Sequence, residues 1–226
     1  MFNFFKKKDQ KKQVTKQVDP MYNFNWYDVG EGNPFNKRIL DIRPFTQKMI
    51  STTKDPAIAQ LFLTNRQSSG EEYIGFDFEN STSVDTQLIY PHKGGKIEGV
   101  GYKAKVMEDK WDIYVWNDII YFVRSWTSEV GYKAFITYSD NSLIVHKIEI
   151  DGNNRSESEQ SIAINNVHFL ISTLAFKAVQ PHKIPNNLIT NEEIAAYSFS
   201  VFGRDCWYAT YDDVINLTII ETNNGA

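Results

Sequence analysis

Apolar and polar positions alternate with a period of two through most of residues 98–150, the spacing of strands that bury one face. Val100, Tyr102, Ala104 and Val106 share one side of the first run. WDIYVW (111–116) and IIYFVRSW (119–126) flank Asn117-Asp118, and VGYKAFITY (130–138) and LIVHKIEI (143–150) flank residues 139–142. Short polar links between β-rich runs predict an antiparallel meander. With Asn117-Asp118 as the hairpin turn, Val115 faces Ile120, Ile113 faces Phe122 and Trp111 faces Arg124. Arg124 is then placed to stack on the Trp111 indole.

The same alternation occurs in residues 72–78, where Ile74, Phe76 and Phe78 predict one more half-buried strand with Asp77 and Glu79 on its polar side. Residues 80–96 read as a loop with a short strand at 88–90, and residues 20–40 as loops with a short strand. The period changes to 3.6 elsewhere. Pro44 opens one short helix and Asp55-Pro56 caps another, whose buried stripe is Ile58, Leu61 and Phe62. Ile164, Val167, Leu170, Ile171, Leu174, Ala175 and Ala178 form a helical stripe, and Thr190 with Glu193 makes a capping box for a helix ending near Gly203. The run CWYATYDDVINLTII reads as one or two further strands. The fold class this predicts is α+β: an antiparallel β-meander sheet with amphipathic helices packed on one face. Residues 1–19 read as a flexible basic tail, and 20–226 as a single α+β domain.

Charge sharpens that division. The net charge is −4, but residues 1–19 hold six lysines against two aspartates, which leaves −8 on the rest. An acidic body repels phosphate backbones, so no nucleic acid is expected to bind it, whereas a basic protein partner would be drawn in. No apolar run reaches the roughly 18 residues of a membrane helix. Phe2, Phe4 and Phe5 precede the lysine cluster, the reverse of a secretory signal. Together with those lysines they make membrane-surface contact an alternative role for the tail. One cysteine, Cys206, permits no intrachain disulfide and fits a cytoplasmic location.

Catalytic signals are sparse. The chain has no phosphate-binding glycine loop, no nucleophile elbow and no HExxH. His92, His146, His168 and His182 are scattered, so no metal and no cofactor are expected, and Cys206 reads as a buried structural thiol. Asp77 and Glu79 are the carboxylates on which a dispersed hydrolase-type site would be built, and an exposed sheet edge predicts the same residues.

YFVRSWTS (121–128), followed by GYKA (131–134), resembles a segment of small uncharacterised bacterial proteins in which aromatic-x-Arg-Ser-Trp-Thr-Gly precedes a Tyr/Lys-containing strand; here Ser128 stands in place of the Gly. The resemblance implies a shared hairpin at 111–138 and no particular activity. The expectation is therefore a non-enzymatic binding protein, such as a bacterial immunity or accessory protein that masks a basic protein partner. Trp26, Tyr27, Trp207 and Tyr208, in weakly periodic segments, and Trp111, Arg124 and Trp126, in the hairpin, are its candidate binding residues.

Overall fold

The computed structural model describes residues 19–30 and 32–216. Apart from Asp19, the basic tail lies outside the described residues. Two short strands, β1 (Asn25–Tyr27) and β2 (Ile39–Asp41), lead into two helices, α1 (Arg43–Thr46) and α2 (Pro56–Asn65). A 3-10 turn (Glu71–Tyr73) precedes six strands: β3 (Ser81–Pro91), β4 (Gly99–Tyr102), β5 (Trp111–Trp116), β6 (Ile119–Arg124), β7 (Val130–Ser139) and β8 (Ser142–Asp151). Then come α3 (Glu157–Leu170), a π turn (Ile171–Ala175), β9 (Pro181–Lys183), α4 (Asn191–Phe202) and β10 (Tyr208–Thr210). The protein is α+β, and no described helix is long and apolar enough to cross a membrane.

The meander is the larger of two sheets. It is antiparallel throughout, ordered β3-β8-β7-β6-β5-β4. Asn117 and Asp118 both take positive φ, 53° and 60°, as a type I′ turn requires. That turn sets the pairing Val115↔Ile120, Ile113↔Phe122 and Trp111↔Arg124. One face carries Trp111, Ile113, Val115, Ile120, Phe122 and Ala134 into the main core, where Val167 and Leu170 of α3 and Ile194, Ala195 and Phe199 of α4 meet them. Both long helices start on capping boxes, Ser156 with Glu159 and Thr190 with Glu193.

Three expectations need correction. Residues 74–80 form no strand, because Gly75 turns the chain at φ 80°. Ile74 is exposed, while Phe76 and Phe78 fold over Tyr73, Tyr114, Tyr121 and Val123 in a second, smaller core. The β5–β6 part of the sheet's second face is thus covered as well. Residues 81–91, read mostly as loop, are an edge strand of 11 residues. Threonines at the inward positions 82 and 86 hid its alternation, and Thr82 Oγ1 is satisfied by donating to Gly152 O at 2.7 Å. In α2, Asp55 caps as expected, accepting from Ala57 N–H at 2.8 Å, but only Phe62 of the stripe is buried.

The second sheet has no local signature in the sequence. It is four-stranded, ordered β1-β2-β10-β9, with β10 and β9 parallel. Its strands are three residues long, too short to show a period. Leu40, Ile42, Ile184 and Ala209 join it to the same core as the meander.

Candidate functional site

Trp111 and Arg124 come together, and what they hold is helix α4; Trp126 instead donates from Nε1 to Met107 O at 2.8 Å. The last four carbonyls of a helix have no partner within it and form the negative end of its dipole. Arg124 Nη1 donates to Val201 O at 2.9 Å and Nη2 to Ser200 O at 3.0 Å. Trp111 Nε1 donates to Val201 O at 2.6 Å, and the guanidinium lies 4.8 Å from the indole centroid. Burial lowers the Arg124 pKa, yet the carbonyl oxygens give the cation its partners. Arg124→Ala is expected to cost about 2–3 kcal/mol, from charge-assisted bonds and the stacked ring together. Arg124→Lys, which keeps the charge and loses the fork, should restore less than half of that in urea unfolding. A loss below about 0.5 kcal/mol for the alanine variant would remove this clamp.

Beside the clamp lies an open groove of about 1120 Å³. Its walls are the 72–80 segment, the start of β5, the 128–131 stretch and the end of β8. Five carboxylates line it (Glu72, Asp77, Glu79, Glu129 and Asp151), against one cation, Arg124. Tyr73, Phe76 and Phe78 supply its apolar floor, with the two Phe rings edge to face at 5.2 Å. Asp77 and Glu79 therefore share this groove, although not through strand alternation. Asp77 is 84% exposed and accepts from Lys133 Nζ at 2.6 Å. That hydrogen bond and charge hold its carboxyl below the usual range, so it stays ionised and carries no proton to donate at neutral pH. Among the described residues no group of three His, Cys, Asp or Glu is placed to hold a metal ion.

The other aromatic candidates surround the small sheet and do not share one surface. Trp26 stacks on Tyr211 at 5.8 Å, lies under Arg38 and donates from Nε1 to Asn191 Oδ1 at 3.0 Å. Tyr27 is exposed at the end of β1. Tyr208 is half-buried between Phe35 and the Arg43 guanidinium. Trp207 is partly exposed and lines a separate pocket of about 190 Å³ with Lys177 and Asp205. Cys206 is fully buried, and burial raises its thiol pKa well above the ordinary value.

The sequence alone does not mark Glu129, Asp151 and Phe76 as groove residues, and it places Lys110 only in a tight Glu108-Asp109-Lys110 turn without a role. The first three lie far apart in the chain and only the fold joins them. Lys110 sits in the Glu108-Asp109-Lys110 turn, whose composition gave no sign of burial. No family model, curated protein or solved structure matches the chain.

Proposed function

We propose that this chain is a non-catalytic binding protein whose acidic, aromatic-floored groove seats a basic segment of a protein partner. The observation that carries this reading is the set of five carboxylates along one open groove over Phe76 and Phe78. Lysine or arginine side chains of a partner would meet carboxylates at the rim and ring faces at the floor. The −8 balance of the chain beyond residue 19 adds long-range attraction for the same partner. Occupying the partner's basic surface masks it sterically and needs no cofactor. A cytoplasmic place of action fits the single buried thiol. The Asp77–Lys133 pairing speaks against Asp77 as an acid catalyst, because an ionised carboxylate has no proton to give.

The test is titration with an arginine- and lysine-rich peptide, followed by fluorescence anisotropy, beside a glutamate-rich peptide of equal length. Only the basic peptide is expected to bind. Glu79→Gln with Asp151→Asn should weaken it roughly tenfold at low salt, mainly through slower association. Affinity should fall further as salt rises past about 0.1 M, where the screening length is about 10 Å. Equal binding of both peptides would sink the reading, as would a saturable hydrolase activity abolished by Asp77→Asn.

A further inference from the structure

Next to the acidic groove, sharing Arg124 and Glu129 with it, is a second cleft with the opposite character. Its volume is about 450 Å³, and Lys110, Arg124, Trp126, Thr127, Phe199 and Ser200 line it together with Glu129. Lys110 is only 9% exposed, and no carboxylate among the described residues lies within ion-pair distance of it. Buried lysines are rare without such a partner. Its Nζ donates to Ser51 Oγ at 2.7 Å and Met107 O at 3.1 Å, and sits 4.5 Å from the Trp126 ring and 5.0 Å from the Phe199 ring.

The nearest acids are turned to other work. Glu108 Oε1 accepts from Ser51 N–H at 2.9 Å, and Asp109 Oδ2 accepts from Lys105 N–H at 2.8 Å. Arg124 spends two donors on α4 carbonyls. An ammonium has three donors and a guanidinium five, so both cations keep donors to spare. Two cations with free donors, walled by two rings and facing one cleft, are what a small anion needs. Among the described residues neither cation has a carboxylate within ion-pair distance to offset its burial.

We propose that this cleft, between the 124–129 loop and the last turn of α4, binds a small oxyanion, a phosphate or a carboxylate. Arg124 supplies a planar fork and Lys110 a point charge, while Trp126 and Phe199 exclude water around them. Glu129 at the rim accepts from Thr127 Oγ1 and is the group that opposes the anion. The inference concerns a neighbouring cleft, which shares Arg124 and Glu129 with the acidic groove, and a ligand of the opposite charge.

The free protein already carries the signature against which binding is read. Burial first, and Arg124 second, lower the Lys110 pKa to about 8, with Glu108 and Asp109 opposing. A bound oxyanion favours the charged ammonium, so the Lys110 midpoint must rise. The experiment is NMR of the lysine side chains in the full chain, titrated with pH in inorganic phosphate, in acetate, and in chloride at matched ionic strength. A rise of a pH unit or more at Lys110 in phosphate or acetate over chloride is expected, saturating with anion concentration. The arm that produces it tells phosphate from carboxylate. Glu129→Gln, an exposed change that spares the fold, should tighten the anion roughly two- to fivefold by removing one nearby charge. No saturable movement at Lys110 in either arm would overturn the site. So would an equal movement at the exposed Lys48 and Lys93.

Discussion

Gly203→Ala is expected to destabilise the protein by on the order of 3–5 kcal/mol, combining a disfavoured backbone conformation with overpacking. Gly203 ends α4 at φ 77° and ψ −149°, a region that side-chain-bearing residues avoid. A Cβ there would stand 1.9 Å from the Glu108 carbonyl oxygen. Nothing flexible can yield, because the obstacle is backbone and is itself held: Arg204 N–H donates to Glu108 O at 3.2 Å, and Gly203 bridges to Asp109. Relief requires moving the end of α4 away from the 106–110 turn, which would also loosen the grip of Arg124 and Trp111 on Val201 O. Urea unfolding at neutral pH measures the loss. A change under about 1 kcal/mol would mean that this close approach is not part of the fold in solution.

The second large effect is expected in mild acid. His168 is buried with Nδ1 2.9 Å from Tyr90 Oη. His182 is fully buried, with Nε2 2.8 Å from Ser198 Oγ and Nδ1 3.0 Å from Lys183 O. Burial lowers both pKa values to about 4. In the unfolded chain each titrates near the usual value of about 6.5. Between those values the unfolded state binds protons that the folded state refuses. The stability contribution is whole above about pH 6.5 and is lost as pH falls towards 4. Each histidine should withdraw roughly 2–3 kcal/mol over that window. His168→Gln with His182→Gln should flatten the stability curve between pH 6.5 and 4, at some cost at neutral pH. An unchanged slope in the double variant would assign the acid sensitivity elsewhere. Asp77 and Asp213, whose pKa values are lowered by Lys133 and Lys183 respectively, act only below the ordinary carboxylate range and do not blur the upper part of the window.

How much of this was legible depended on whether a local signal existed. The strands at 111–151 were, since long alternating runs and a positive-φ-tolerant Asn-Asp turn fix both element and register within a few residues. Both capping boxes lie within four residues, and Thr190–Glu193 is readable from the sequence, whereas Ser156–Glu159 sits among polar residues that mask it. The run Ile74, Phe76, Phe78 misled because a folded-over loop covering a small aromatic core alternates as a strand does. Arg124 was paired with Trp111 through the hairpin, but its work on Ser200 O and Val201 O spans more than 70 residues of chain and leaves no trace in any window. The acidic groove was half seen through Asp77 and Glu79. Glu129 and Asp151 reach it only because the β6–β7 loop and the end of β8 come to the same edge.

The small sheet has a consequence for how the molecule is made. Its order β1-β2-β10-β9 interleaves strands from residues 25–41 with strands from residues 181–210. β2 lies between β1 and β10, so its second edge stays open until Tyr208–Thr210 has been synthesised. A nascent chain can build β4 to β8 as they emerge, because those pairings are between sequence neighbours, while β3 waits for β8. It cannot close the small sheet until β10 is out, and such distant pairing is slow. Until then Leu40 and Ile42, which finish fully buried, lack their cover and are open to chaperones. A polypeptide released short of β10 would carry a formed meander and an unlatched front end.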